Sequence, residues 1–358
     1  MGSLYVLGGR QRKALLQNPT KEWLWYETAL ILEVDTESGQ VQTRVEYETP
    51  ADARAGDKSS VNFHCGALVG ELLYTCTMTE ILIYKVPQFE RVGYLSLPCF
   101  SDLHHVAPAS DESLLVVNTG LDMVMKIDLQ GNVLQEWCVV DEVPWTRFSH
   151  SVDYRKVETT KPHKAHPNFV FELDGEIWVT RFNQRDAVSL GGSGKRIEIA
   201  VDRPHEGLLY GDRILFTVVD GTIVIVNRHS LRVEKTIDLR KIQDGDREML
   251  PAWCRGILPV DNARMWVGFT RIRNTLLREN VRWVKTVLHE GMVIKPTHIA
   301  LFDLATQQCL KEIDLEPYGL NGVFGIFPGV SESTARSAAI PERASTAAKL
   351  EEPTAIKV

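Results

Sequence analysis

The chain has no C-x-x-C pair. Its six cysteines, Cys65, Cys76, Cys99, Cys138, Cys254 and Cys309, are scattered, which argues against a zinc knuckle or a redox dithiol. No stretch approaches the roughly 18 apolar residues of a membrane span. The amino terminus, MGSLYVLGGRQRKALLQ, lacks a long apolar core, a small-residue cleavage site and the Ser/Thr of a myristoylation signal. These absences predict a soluble, cytoplasmic protein with reduced, mostly buried thiols and no membrane partner. Runs of Lys or Arg interleaved with aromatics are also missing and the net charge is −7, so no nucleic-acid partner is expected. There is no G-x-S-x-G elbow and no Cys/His pair that stands out as a nucleophilic site. Gly191, Gly192 and Gly194 in SLGGSGK look like a phosphate loop, yet no helix follows them, and a hairpin turn accounts for them better.

What the sequence does have is a repeat. With 44% hydrophobic and 24% charged residues over 358 positions, the composition is ordinary for a globular protein. Six segments, from ALILEVDTESGQVQTRVEY to HIALFDLATQQCLKEIDL, share one grammar: an apolar strand, a turn residue, then a more amphipathic strand. Two further apolar runs precede most of them, as in GALVG then LLYTCT, giving four short strands per unit. Four-stranded units at roughly 40 to 45 residues are the pattern of a β-propeller. His64 to His105 spans 41 residues and His166 to His205 spans 39. The predicted fold is therefore all-β: a six-bladed propeller over residues 1–329, followed by a disordered tail at 330–358. One blade combines GVFGIFP from the end of the chain with LYVLGG, ALILEVD and VQTRVEY from its start, which removes the exposed edges of an open array.

At the level of architecture, this grammar resembles the NHL and YVTN-type six-bladed propellers. That fold hosts lyases, hydrolases, oxygenases and binding platforms alike, so activity must be argued from a site. Three long inserts, 10–27, 141–165 and 271–296, fall in connections that emerge on one face. The last has apolar residues at near-helical spacing, a predicted amphipathic helix serving as a lid. Trp145 and Trp283, in two of the inserts, are candidate substrate-lining residues.

The main functional signal is that His64, His105, His166 and His205 open the innermost strands of four consecutive blades, a phase that brings their imidazoles toward one axial point. Arg255 holds the matching slot in the fifth blade and Gly322 in the sixth. His105 is preferred over its neighbour His104 because its distance to the next strand matches the other repeats, and adjacent residues on a strand face opposite ways. Neutral imidazole is a ligand for Fe, Zn, Cu and Ni, so a divalent transition metal is the expected cofactor, Fe(II) first. Arg255 offers a planar fork to a small anionic substrate. Asp102, Asp202 and Glu206 are candidate acceptors for the second imidazole N–H. His150, Tyr154 and Asp153 are candidates for proton transfer, while His163 in the same insert is an acid/base or second-shell candidate. His229, His289 and His298 receive no role.

An imidazole ring of this kind resembles the four-histidine iron centre of the carotenoid-cleavage oxygenases, and the resemblance implies Fe(II)-dependent oxygenase chemistry. The alternatives are a metal-assisted lyase, isomerase or hydrolase, in which the ion polarises a carbonyl or activates water, and a non-catalytic propeller that binds a ligand or peptide.

Overall fold

The computed structural model describes residues 2–12, 25–201, 203–242, 249–250, 253–271 and 293–330. They form six antiparallel four-stranded sheets, the blades of a propeller, plus a short parallel pair joining Met249–Leu250 to Val293–Ile294. The sixth blade is shared by the two ends of the chain as predicted: Gly322–Pro328 lies innermost, followed by Ser3–Gln11, Tyr26–Asp35 and Val41–Tyr47.

Each blade buries both faces against its neighbours, and this explains why its middle strands are apolar without alternation. Leu114–Asn118 is buried at every position, whereas the outermost strand Val133–Cys138 has no fully buried residue. Among the described residues the core is accordingly six large clusters, one between each pair of adjacent blades, with two small ones around Trp25 and Tyr26 and around Leu121, Met123 and Tyr154. Leu82 and Tyr84 meet Tyr5, Leu7 and Ile31 between the first blade and the sixth, and Phe171 and Trp178 meet Ile214 and Phe216 between the third and fourth. Burying an aliphatic or aromatic side chain is worth about 1.5–3 kcal/mol, so ring closure rests mainly on these seams.

Every blade has a one-residue slip in the pairing within or just before its innermost strand. In the second blade Leu103 pairs with Asn118 and His105 with Val117, leaving His104 without a cross-strand partner. In the third, Pro167 pairs with Arg181 and Phe169 with Thr180. In the fifth, Cys254 pairs with Phe269 and Ile257 with Val267, and in the sixth Val323 pairs with Gly8 and Gly325 with Leu7. In the first, His64 donates to Cys76 before Ala67 pairs with Tyr74, and in the fourth Pro204 bridges Val218 before Leu208 pairs with Leu215. Such a bulge inserts one residue and re-aims the side chains around it.

The inserts differ from expectation in extent. Strands run to Gln11 and resume at Tyr26, so both ends of the expected 10–27 insert are sheet. Its residues 13–24, residues 272–292 of the 271–296 insert, on which the expected lid helix and Trp283 fall, and the tail from 331 onward lie outside the described residues. The 141–165 insert is described, and it is turns with one short 3-10 segment at Tyr154–Lys156. The Gly-rich segment is the turn between Asp186–Ser189 and Arg196–Glu198, with Gly192 and Gly194 at positive φ. No helix among the described residues is long and apolar enough to cross a membrane.

Closure of the sixth blade depends on bare backbone. A Cβ on Gly8 would lie 1.7 Å from the Gly322 carbonyl oxygen, whereas one on Gly2 would meet nothing. Gly8→Ala should therefore lower unfolding stability by about 2 kcal/mol or more. Gly2→Ala should leave it within about 0.5 kcal/mol, and equal denaturation midpoints for the two variants would contradict the closure described.

Candidate metal centre

A cavity of about 440 Å³ opens where the innermost strands begin, and residues from all six blades reach it. Its floor carries His64, Asp102, His104, His166, Arg255 and Phe324, and the 141–165 insert closes one side with Tyr154 and Val157 through His163.

The pairing slip in the second blade decides which of two adjacent histidines faces this cavity. His104 does: its ring lies 4.6 Å from that of His64 and 4.9 Å from that of His166. Its Nδ1–H donates to the Asp102 carbonyl at 2.9 Å, which leaves Nε2 with the lone pair. His105, expected at the axis, is instead wedged between blades. It stacks on Phe169 at 3.7 Å, accepts from Val170 N at Nδ1 (3.4 Å) and donates from Nε2 to the Gly66 carbonyl at 3.1 Å. Counting back from the next strand assumed unbroken alternation, and the bulge breaks it.

His163 and His166, three residues apart in KPHKAHP, form the other side of the site. Thr160 Oγ1 donates to Gly120 O at 2.6 Å and so accepts from His163 Nε2–H at 3.3 Å. His163 Nδ1 must then accept from His166 Nδ1–H at 2.9 Å, which leaves the His166 Nε2 lone pair open. The hook carrying these residues is held by Asp122, whose buried carboxylate accepts from Lys164 N, Ala165 N and His166 N and pairs with Arg147 at 2.7 Å. The i,i+3 histidine spacing was the available signal for His163; nothing in the sequence around Asp122 marked it.

Two sets of donor atoms lie within 4.8 Å of one another: His64, Asp102 and His104, and Asp102, His163 and His166. Two nitrogens about 2.1 Å from a common ion are at most about 4.2 Å apart, so the first set needs only a small contraction to hold one, whereas in the second His163 would also have to give up its bond to His166. Asp102, expected to orient an imidazole, is thus itself a potential ligand common to both sets. The buried His64 Nε2 has no hydrogen-bond partner, an arrangement that costs about 1–3 kcal/mol unless something coordinates it.

Burial keeps these imidazoles neutral, the form that ligates. It pushes His104 down to about 3 and His64 and His166 well below the usual histidine value, with His104 and Arg255 adding to the effect on the latter two. Burial raises the Asp102 carboxyl, against the opposing pull of His163 and Arg255.

The remaining expected residues are placed elsewhere. His205 is buried beside Phe182, which packs between it and His166, and belongs to neither donor set. Glu206 does not orient His205; it accepts from Gly256 N at 2.7 Å and from the Thr217 hydroxyl. His150 is exposed and stacked on Trp145 at 3.8 Å, and Trp145 donates to Glu136 at the blade rim rather than lining the cavity. Asp153 is engaged by Arg155 at 2.7 Å. Of the expected proton-transfer group only Tyr154 reaches the cavity, and its hydroxyl accepts from Ser149 N. Gly322 keeps bare backbone beneath Tyr26, whose hydroxyl would lie 2.3 Å from an added Cβ. Asp202 lies outside the described residues.

No family model and no curated protein matches the sequence. Solved structures do share the fold. A protein of unknown function from Bacteroides caccae aligns over 91% of this chain and 98% of its own, with TM-score 0.58 and 10% identity. A chain of a nidogen/laminin complex aligns over 90% and 97%, with TM-score 0.51 and 9% identity. Virginiamycin B lyase from Staphylococcus aureus aligns over 66% and 69%, with TM-score 0.41 and 16% identity. At these identities the likeness is one of fold alone, and the site must be judged on its own residues.

Two measurements probe the supports of the site. Asp122→Ala leaves three backbone N–H groups without their acceptor and Arg147 with Glu142 alone, and should cost about 2–4 kcal/mol of stability in chemical denaturation; a loss under about 1 kcal/mol would mean the hook is held otherwise. Glu206 is raised by burial to about 7. Folding therefore favours its protonated form, giving stability fully present below the unfolded value near 4.5 and lost as pH rises through 7. The excess stability of wild type over Glu206→Gln should fall by on the order of 3 kcal/mol between pH 4.5 and 7.5, and a pH-independent difference would contradict this.

Proposed function

We propose that this protein is a metal-dependent enzyme that acts on a small anionic organic substrate in the axial cavity. The observation carrying the proposal is the donor chemistry. The first set joins the imidazoles of His64 and His104 to the Asp102 carboxylate, and His64 Nε2 is buried with no other partner; the second offers His166 beside the same carboxylate, while both nitrogens of His163 are engaged by Thr160 and His166. Two imidazoles and a carboxylate with open positions are the ligand type of non-haem Fe(II) oxygenases, so Fe(II)-dependent oxygenase chemistry is the first reading. The sequence pointed to a ring of imidazoles only; the carboxylate strengthens the case for iron and weakens it for copper. The same donors suit zinc or nickel in a lyase, isomerase or hydrolase, where the ion would polarise a carbonyl or activate water. Turnover under strict anaerobiosis separates the two readings.

The chain's own groups have separable tasks. His104 is fixed by its Nδ1–H bond to Asp102 O with Nε2 presented, and His166 likewise by its bond to His163. Tyr154 and the adjoining insert cover the cavity and limit water at the reacting atoms.

Elemental analysis of protein loaded anaerobically with Fe(II) or Zn, then desalted, tests the centre. Wild type and His105→Ala should retain about one equivalent per chain, held by His64, Asp102 and His104. Asp102→Ala and His104→Ala should lose at least about 90%, a loss within the range seen when ligand shells are disrupted. Wild type that retains no metal, or a folded His105→Ala that loses it as His104→Ala does, would sink the proposal.

A further inference from the structure

The cavity carries several cations, and most already have partners. Arg54 pairs with Asp57 at 3.5 Å, Arg155 with Asp153 at 2.7 Å and Arg271 with Glu316 at 2.8 Å. Arg255 has no ion pair among the described residues. Its Nε is shut off from solvent without a hydrogen-bond partner, and its guanidinium carbon lies 5.9 Å from the Trp253 ring centre and 5.3 Å from that of Phe324. Glu206 and Asp102 feel its charge, yet neither is within ion-pair distance, and Glu206 already accepts from Gly256 N and the Thr217 hydroxyl.

A cation half-withdrawn from water with no ion pair among the described residues is costly, and aromatic faces return only part of that cost. The arrangement is stabilising only when an anion completes it. The form of the anion follows from the form of the site. One guanidinium, held between two rings and presenting a planar fork, matches the two coplanar oxygens of a carboxylate. A phosphate dianion calls for more than one available cation, and the neutral imidazoles add none. The lining also supplies aromatic faces, Trp25, Tyr26, Phe182, Trp253 and Phe324, and a cavity of about 440 Å³ accommodates a small organic body.

We infer that the cavity binds an aromatic or apolar monocarboxylic acid, with its carboxylate on Arg255 and its body among the surrounding rings. This deepens the proposed function by naming a substrate class and rests on that reading for its relevance to catalysis. The carboxylate site itself requires no metal.

The test is titration calorimetry with benzoate, its neutral isostere benzamide, and inorganic phosphate, on metal-stripped and metal-loaded protein. Benzoate should bind the metal-stripped protein at least about tenfold more tightly than either benzamide or phosphate, the scale of a charge-assisted pair. Arg255→Gln should remove that preference while leaving benzamide binding unchanged, and Arg255→Lys should recover only part of it. Because the substitution removes a half-buried charge with no ion pair among the described residues, Arg255→Gln should melt no lower than wild type, and benzoate should raise the melting temperature of wild type alone. Should the variant fail to fold, the three-ligand comparison on wild type still decides. Equal affinity for benzoate and benzamide, tighter binding of phosphate, no benzoate binding, or undiminished binding by Arg255→Gln each overturns the inference. Retained metal without benzoate binding removes the substrate class and spares the metal centre; benzoate binding without retained metal does the reverse.

Discussion

The constraint on which the site depends is the single-residue slip within or just before each innermost strand. Six strands converging on an axis cannot all continue as flat ladders, and each changes register near its start. A slip adds one residue without a cross-strand partner and re-aims it; in the third blade that residue, Asn168, donates to the Pro204 carbonyl and stays out of the cavity. In the second, fifth and sixth blades the slip falls at His104, at Arg255 and Gly256, and at Phe324, so the ring closes with an imidazole, a guanidinium and an aromatic face at its mouth. The irregularity repeated by the fold is also the device that builds the cavity floor.

Around that floor the electrostatics are unusual for an acidic protein. The imidazoles are driven neutral by burial, the Asp102 carboxyl is raised, and one guanidinium stands without an ion pair among the described residues. None of this contributes to folding; the unpartnered Arg255 and His64 atoms oppose it. Stability is supplied instead by the six seams between blades and by buried anchors such as Asp122, which holds the His163–His166 hook from beneath. A site whose own groups oppose folding and that is carried by a strongly packed frame is the expected division in a structure shaped for binding.

The architecture was legible because propeller packing writes itself into composition. Middle strands buried on both faces must be continuously apolar and rim strands mixed, and the turn residues between them are punctuated by Asp, Asn and Gly. The shared closing blade followed from counting strands. The site was only half legible. His64 and His166 were found from phase, and Arg255 from the matching slot. His105 was taken for His104 because a phase argument cannot register a bulge. His205 shares the phase but is separated from the donor sets by Phe182, a residue on a neighbouring blade. His163 and Asp102 enter through a loop and a positive-φ turn, where no repeat constrains position.

By itself, then, the sequence determined the number of strands per blade, the number of blades and the face on which chemistry gathers, because burial on a repeating scaffold imposes a repeating pattern. Tertiary structure alone decided which imidazoles meet, that a carboxylate joins them, and that Arg255 is left without a counter-charge among the described residues. These outcomes turn on one-residue register changes and on loops crossing between blades, and neither leaves a periodic trace in the chain.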